Sequence, residues 1–362
     1  MNRASITVLL VIAIATLVIS PLNSAQASDS TTKYTYTWTT KTPLPTAIFR
    51  LGAAVVDGKI YAIGGYNQRW EVQDTNYMYD PATDKWTAMA AIPTPRALFG
   101  ITVYQNKIYV LGGLTLAQDL LGIDNLQINK LTAVNEVYDP ATNSWETKQA
   151  MPTENFALQA NVVGQKIYLN APYSNATEVY DPASDTWSTA PPMPNLQTGF
   201  TSAVVGNKIY IIGNQTQIFD TQTRQWTLGS PPSYSVDHGA AATIIHNTTA
   251  LICLFKDNFT QIYNPVNDTW TLGASMPRNR EDLAVAAAND TIYAIGGTSS
   301  TGDALATNEQ YISADNTATD QTNATTQPTP LNIITIATAA VIITAVAIIY
   351  TKKTLQTTAK VG

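Results

Sequence analysis

Apolar and polar residues alternate along most of the chain in short runs, punctuated by Gly, Pro, Asn and Asp. A period of two broken by turn formers predicts many short, half-buried strands. One pattern recurs. An aromatic residue, a turn and a Trp seven positions on occur as Tyr79-Asp80-Pro81 with Trp86, Tyr138-Asp139-Pro140 with Trp145, and Tyr180-Asp181-Pro182 with Trp187. Weaker copies are Phe219-Asp220 with Trp226 and Tyr263-Asn264-Pro265 with Trp270. Asp before Pro favours a type I turn, because the carboxylate bonds to the turn backbone and the ring fixes φ. Each copy therefore predicts a strand, a tight turn and a returning strand.

A second pattern precedes each of these: a turn, then a short apolar-aromatic strand that often ends in Gly-Gly. It appears as Lys59-Ile60-Tyr61 with Gly64-Gly65, Lys107-Ile108-Tyr109 with Gly112-Gly113, Lys166-Ile167-Tyr168 and Lys208-Ile209-Tyr210. It continues as Ala250-Leu251-Ile252 and as Thr291-Ile292-Tyr293 with Gly296-Gly297. The steps between units are 48, 59, 42, 42 and 41 residues. Six units of similar length with about four strands each predict a propeller.

The Gly-Gly, Tyr-Asp-Pro and spaced Trp are marks of the kelch repeat, and residues 34–312 resemble a six-bladed kelch propeller. Units three to five depart from the pattern, with Asn170-Ala171, Gly213-Asn214 and Leu254-Phe255 in place of Gly-Gly. The sixth unit stops after Tyr311 without a Trp of its own. The segment YTYTW at 34–38 alternates and carries Trp38, 48 residues before Trp86. As in the family, this N-terminal strand is expected to complete the last blade and close the ring. The expected fold is all-β: a six-bladed propeller of four-stranded antiparallel blades over 28–312, followed by one transmembrane helix.

Two apolar stretches stand apart from this alternation. Residues 6–19 form a run of 14 after Arg3, broken by Pro21 and Asn23, with Ala25-Gln26-Ala27 as a small-x-small cleavage pattern. This reads as a secretory signal over 1–27. Residues 331–350 contain no charge over 20 positions, enough for one membrane-spanning helix. Lys352, Lys353 and Lys360 follow without any acid, which places the tail at 351–362 in the cytoplasm and the propeller outside. Between propeller and helix, SADNTATDQTNATTQPTP at 313–330 reads as a flexible stalk with an r.m.s. reach of about 20–25 Å.

Composition sharpens this picture. Only 13% of residues are charged, and the net charge is −6. All 26 acids lie in 28–330, against 16 basic residues there, so the exported part carries −10. That excess disfavours nucleic acid as a partner. A single Cys excludes a disulfide framework, and two His leave little material for metal chemistry. Some kelch proteins are copper oxidases, which use two His, a Tyr and a Tyr crosslinked to Cys. Here His238 and His246 fall at opposite ends of one inner strand, and Cys253 falls inside ALICLF as a core residue. No cofactor or metal is expected.

A second family activity is sugar-acid isomerisation or mutarotation, using Arg and Glu at the mouth of the central channel. The residues leading into each inner strand are the candidates: Arg50, Arg96, Glu154, Gln197, Asp237, Arg280 and Glu281. Capping and solvating roles fit the same residues, and no catalytic assignment follows. The inner strands themselves are rich in Ala and Val, which favours a bland channel.

Loop lengths point to a binding sector. The loop between second and third strands is longest in unit two, at 114–133, and intermediate in units one and six, at about 66–75 and 298–307. Units six, one and two are neighbours in a closed ring. Sequons at Asn175, Asn214 and Asn258 occupy the short loops of units three to five. Asn247, Asn267 and Asn289 lie on the opposite face, and Asn323 lies in the stalk. Trp70 is the one Trp outside the repeat. The bare sector therefore gives Arg69, Trp70, Glu71, Asp119, Asp124 and Asp303 as candidate contacts with an extracellular protein or glycan, since Trp and Arg anchor interfaces. Tolerated surface loops are the alternative for those residues. A carbohydrate-active enzyme of the funnel and a structural surface-layer component are the alternative functions.

Overall fold

The computed structural model describes residues 36–117, 128–234, 236, 240–246 and 249–313. Each repeat forms one antiparallel sheet. The first is typical: Gly52–Val56 pairs with Lys59–Ile63, which pairs with Asn76–Asp80, which pairs with Lys85–Ala88. Four more sheets cover 100–148, 159–190, 201–229 and 240–272. The inner strands Gly52–Val56, Gly100–Tyr104, Gln159–Val163, Thr201–Val205, Ala240–His246 and Ala284–Ala288 pack each against the next, and the last against the first.

The expected architecture is corrected in its count and in its helix. Five blades, not six, are complete within one continuous stretch of chain. The remaining four-stranded sheet is a composite of Ala284–Ala288, Thr291–Ile295 and Asn308–Ser313 with Tyr36–Lys41. The cause is simple: the chain leaves that sheet after three strands, and the open edge is covered by the strand from the opposite end of the sequence. A two-stranded ribbon, Leu114–Ala117 with Ile128–Leu131, extends from the second blade where only an inserted loop was expected. Among the described residues there is no helix, and none long and apolar enough to cross a membrane. The segments read as signal, stalk, spanning helix and tail, at 1–27, 313–330, 331–350 and 351–362, lie outside the described residues, except that Ser313 ends the last strand of the composite sheet.

The core lies between blades rather than inside any one of them. Ala54, Val56 and Tyr61 of the first blade pack with Phe99, Ile108, Val110 and Tyr138 of the second. Ala284, Tyr293 and Ile295 of the composite sheet pack with Ile60 and Tyr79 of the first. Alternation places these side chains on the two faces of each sheet, and both faces are covered by neighbours. Small residues on the inner strands let six strands converge.

The repeated aromatic and Trp sit opposite one another at the outer hairpin. Tyr79 faces Trp86, Tyr138 faces Trp145, Tyr180 faces Trp187, Phe219 faces Trp226, and Tyr263 faces Trp270. Each indole N–H then donates to a carbonyl just beyond the preceding sheet: Trp86 to Thr42, Trp145 to Ala90, Trp187 to Gln149, Trp226 to Pro191, and Trp270 to Ser230. The Tyr hydroxyls of 79, 138, 180 and 263 donate to the turn residues Asp84, Asn143, Asp185 and Asp268. The same four side-chain oxygens accept the N–H of Thr42, Ala90, Gln149 and Ser230. One turn residue thus ties its own sheet to the one before it. All four have positive φ, which Asp and Asn tolerate better than most side chains.

Candidate functional site

The loops between second and third strands and the segments leading into the inner strands share one face, around the mouth of the central channel. Two residues before its inner strand, each of four sheets carries a residue with φ between 51° and 55°: Arg50, Leu98, Ala157 and Asp282. Their backbones are linked head to tail. The N–H of Ala157 donates to Leu98 at 2.6 Å, that of Leu98 to Arg50 at 3.2 Å, and that of Arg50 to Asp282 at 2.8 Å. The chain of bonds crosses from blade to blade and holds the rim of a cavity of about 460 Å³. Apart from Arg50 and Asp282, its lining is uncharged, with Leu98, Phe156, Tyr173 and Phe200 among the larger side chains.

The Arg50 guanidinium joins the two candidate groups. Its Nε lies 3.0 Å from Asp282 Oδ2, and its Cζ lies 5.4 Å from the centre of the Trp70 ring. Trp70 is 53% exposed, yet its backbone is in the left-handed region at φ 61° and its ring meets Phe49 edge-on at 4.8 Å. Tyr66 closes the other side at 5.7 Å. The loop that carries Trp70 is organised by Asn67. The Asn67 Oδ1 accepts the N–H of Arg69 and Glu71, and its Nδ2 donates to Glu71 Oε2 at 2.7 Å. Gln68 reaches the neighbouring loop and accepts the Ala304 N–H, while Asp303 accepts from Thr301 Oγ1 within that loop. Loops of units one and six therefore form one surface.

Not every candidate belongs there. Arg96 and Arg280, four residues before their inner strands, are 0% exposed. Arg96 Nη1 lies 2.5 Å from Glu136 Oε2, and Arg280 Nη2 lies 2.7 Å from Glu309 Oε2. Burial pulls both guanidinium pKa values down, and the paired carboxylates oppose that shift. These pairs brace the loops from inside and face no channel. Gln197, at the same offset, is buried and accepts the Gln215 N–H. Glu154 is exposed at the surface. Asp119, Asp124, Asp237 and His238 lie outside the described residues, as do Asn247 and Asn323. Asn175, Asn214, Asn258, Asn267 and Asn289 are all exposed in turns or loops. Among the described residues, no group of three or more His, Cys, Asp or Glu could hold a metal ion.

The sequence reading overlooked Asp282 and the buried partners Glu136 and Glu309. The offset from the inner strand was the available signal: two residues before it a side chain borders the channel, and four before it the side chain turns inward.

With this geometry in place, the repeat can be compared with known proteins. The family model for the kelch motif matches residues 49–91 and 95–152. The repeats over these two stretches are kelch repeats. A 55-residue stretch is 44% identical to the Kelch-like protein terF of Aspergillus terreus, covering 14% of this chain and 12% of that protein. The shared stretch is thus a small part of either protein. The solved structure of YjhT superimposes on this kelch propeller with a TM-score of 0.61 at 18% identity, covering 74% of this chain and 95% of that one. At that identity the likeness is one of fold alone.

Proposed function

We propose that this kelch propeller is a binding module displayed outside the cell, which engages a protein or glycan through the face that carries Trp70 and Arg50. Kelch propellers generally serve as protein-interaction modules. The single observation that carries the reading is Trp70: a large ring, more than half exposed, held by a left-handed backbone on a packed aromatic base beneath a guanidinium. Holding an exposed aromatic in one orientation removes ordering cost from binding, and Trp and Arg are the side chains that most often dominate interfaces. The withdrawal of Arg96 and Arg280 from the channel leaves the Arg50–Asp282 pair as the charged feature among its lining residues, which supports binding over catalysis there.

Display outside the cell rests on the signal-like and spanning-type segments at 1–27 and 331–350. The full-length chain, expressed on intact cells, tests both parts. Proximity labelling and a glycan array are read for wild type and for Trp70→Ala. The reading expects a set of labelled proteins or glycans that disappears with Trp70→Ala, together with digestion of the propeller by external protease. An identical set in both variants, or protection from protease, would overturn it.

A further inference from the structure

One position in the third strand, two residues before the repeated aromatic, differs among the sheets in an informative way. It holds Tyr77, Glu136, Glu178, Gln217, Gln261 and Glu309 in chain order. The glutamines are self-contained: Gln217 exchanges bonds with the backbone of Asn195, and Gln261 with that of Tyr234. Glu136 and Glu309 each hold a buried arginine. Glu178 has the acid without the arginine, because Asn155 stands where Arg96 and Arg280 stand in their sheets. The Asn155 side chain turns back on its own backbone, accepting the Phe156 N–H at 3.0 Å.

The rest of the arginine's berth is kept. Arg96 donates to the carbonyl of Val110, and Arg280 to those of Ala294 and Gly296. The corresponding residues in the third blade are Leu169 and Ala171. Thr94 donates to Glu136 Oε1 at 2.8 Å, and Thr153 stands in its place beside Glu178. Leu169, Ala171, Thr153, Asn155 and Glu178 all line a cavity of about 30 Å³, walled also by Met151 and Leu158. One water needs about 10–15 Å³ of such space. Among the residues lining this cavity Glu178 alone is titratable, and burial pushes its carboxyl above the ordinary range while the Thr153 bond opposes that shift.

We propose that this cavity is a receptor for a guanidinium group supplied from outside the chain, which would sit on Glu178 as Arg96 and Arg280 sit on their glutamates. A planar guanidinium fits two demands at once: a carboxylate in its plane and apolar walls against its faces. A free guanidinium and the arginine side chain of a partner share this chemistry.

Titration of the full-length chain with N-acetyl-arginine methylamide, followed by saturation-transfer NMR and calorimetry, tests the proposal. Guanidinium chloride at low millimolar concentration and N-acetyl-lysine methylamide run in parallel. Saturable binding of both guanidinium probes is expected, at least tenfold tighter than the lysine derivative. Binding of the arginine derivative alone would assign the site to a peptide partner. Glu178→Gln installs the residue that the fourth and fifth blades carry at this position, and should weaken binding at least tenfold with the fold intact. Asn155→Arg should abolish binding and raise the melting temperature, because the chain then fills the berth itself. No saturable binding by wild type, or binding within twofold of wild type in either variant, would overturn the proposal.

Discussion

Trp38 lies directly opposite Tyr311, their ring centroids 4.8 Å apart, although 273 positions separate them in the chain. Everywhere else the equivalent pair is closed by a short hairpin turn. Here the turn is missing, and the pair is made between the two ends of the propeller. The Trp38 N–H still donates to a carbonyl beyond the preceding sheet, that of Ala274 at 3.1 Å. Trp38→Ala should therefore destabilise the whole ring by about 3 kcal/mol, at the low end of the roughly 3–5 kcal/mol for removing a packed Trp, since this ring is only partly buried. Urea unfolding followed by Trp fluorescence measures it. A change below about 1 kcal/mol would mean that the closing strand contributes little.

Trp70 should behave in the opposite way. Its ring is exposed, and its removal exposes parts of Phe49 and Tyr66 without opening a cavity. Trp70→Ala is expected to shift stability by less than about 1 kcal/mol. The same unfolding measurement distinguishes this residue from the six repeat tryptophans.

The buried Arg96–Glu136 pair makes a sharper test of the internal braces. Arg96→Met leaves a buried carboxylate without its partner and should cost about 3–5 kcal/mol. Adding Glu136→Leu removes the stranded charge and should recover most of that loss, as buried ion pairs replaced by apolar residues often do. A double-mutant cycle in urea reads the coupling. Additive losses would show that the two side chains do not act as a pair.

Acid should loosen the turns. The Asp185 and Asp268 carboxyls are held below the ordinary range, foremost by the hydroxyls of Tyr180 and Tyr263. A carboxyl whose pKa is lower folded than unfolded stabilises the fold above its unfolded value of about 3.9, and that contribution is lost as pH falls through the folded value. Stability should thus decline below about pH 4. The second blade shows how to remove the effect, since Asn143 accepts the same two bonds without titrating. The double variant Asp185→Asn, Asp268→Asn should stay folded at pH 7 and lose stability less steeply on acidification, measured by urea midpoints across pH 2–7.

The repeat was legible because its chemistry is local. Tyr, turn and Trp lie within eight residues, so the hairpin writes itself into the sequence, and the Lys-Ile-Tyr strands follow from alternation. Trp38 was legible by spacing instead, because YTYTW alternates and carries a Trp 48 residues before Trp86 while the last unit has none of its own. The sites were harder to read. Arg50 and Arg96 look alike in sequence, each close ahead of an inner strand, but a difference of two residues in offset points one to the channel and buries the other. Glu136 and Glu309 lie 40 and 29 residues from their arginines, and only the assembled sheets bring them together. The count of complete blades differs for another reason: five sheets are each built from one continuous stretch, and the remaining one takes its outer strand from Tyr36–Lys41 at the other end of the propeller.

The composite sheet also decides how the molecule answers to being pulled. Tyr36, the first residue of the closing strand, lies across from Ser313, the last residue of its neighbour. Tension carried by the flanking segments would enter both strands at the same rung. It would open their hydrogen bonds one after another, like a zipper, instead of loading all of them at once in shear. The seam that completes the ring is thus its weakest line under force, and a tug between the two flanks would release the outermost strand while five self-contained blades still stood.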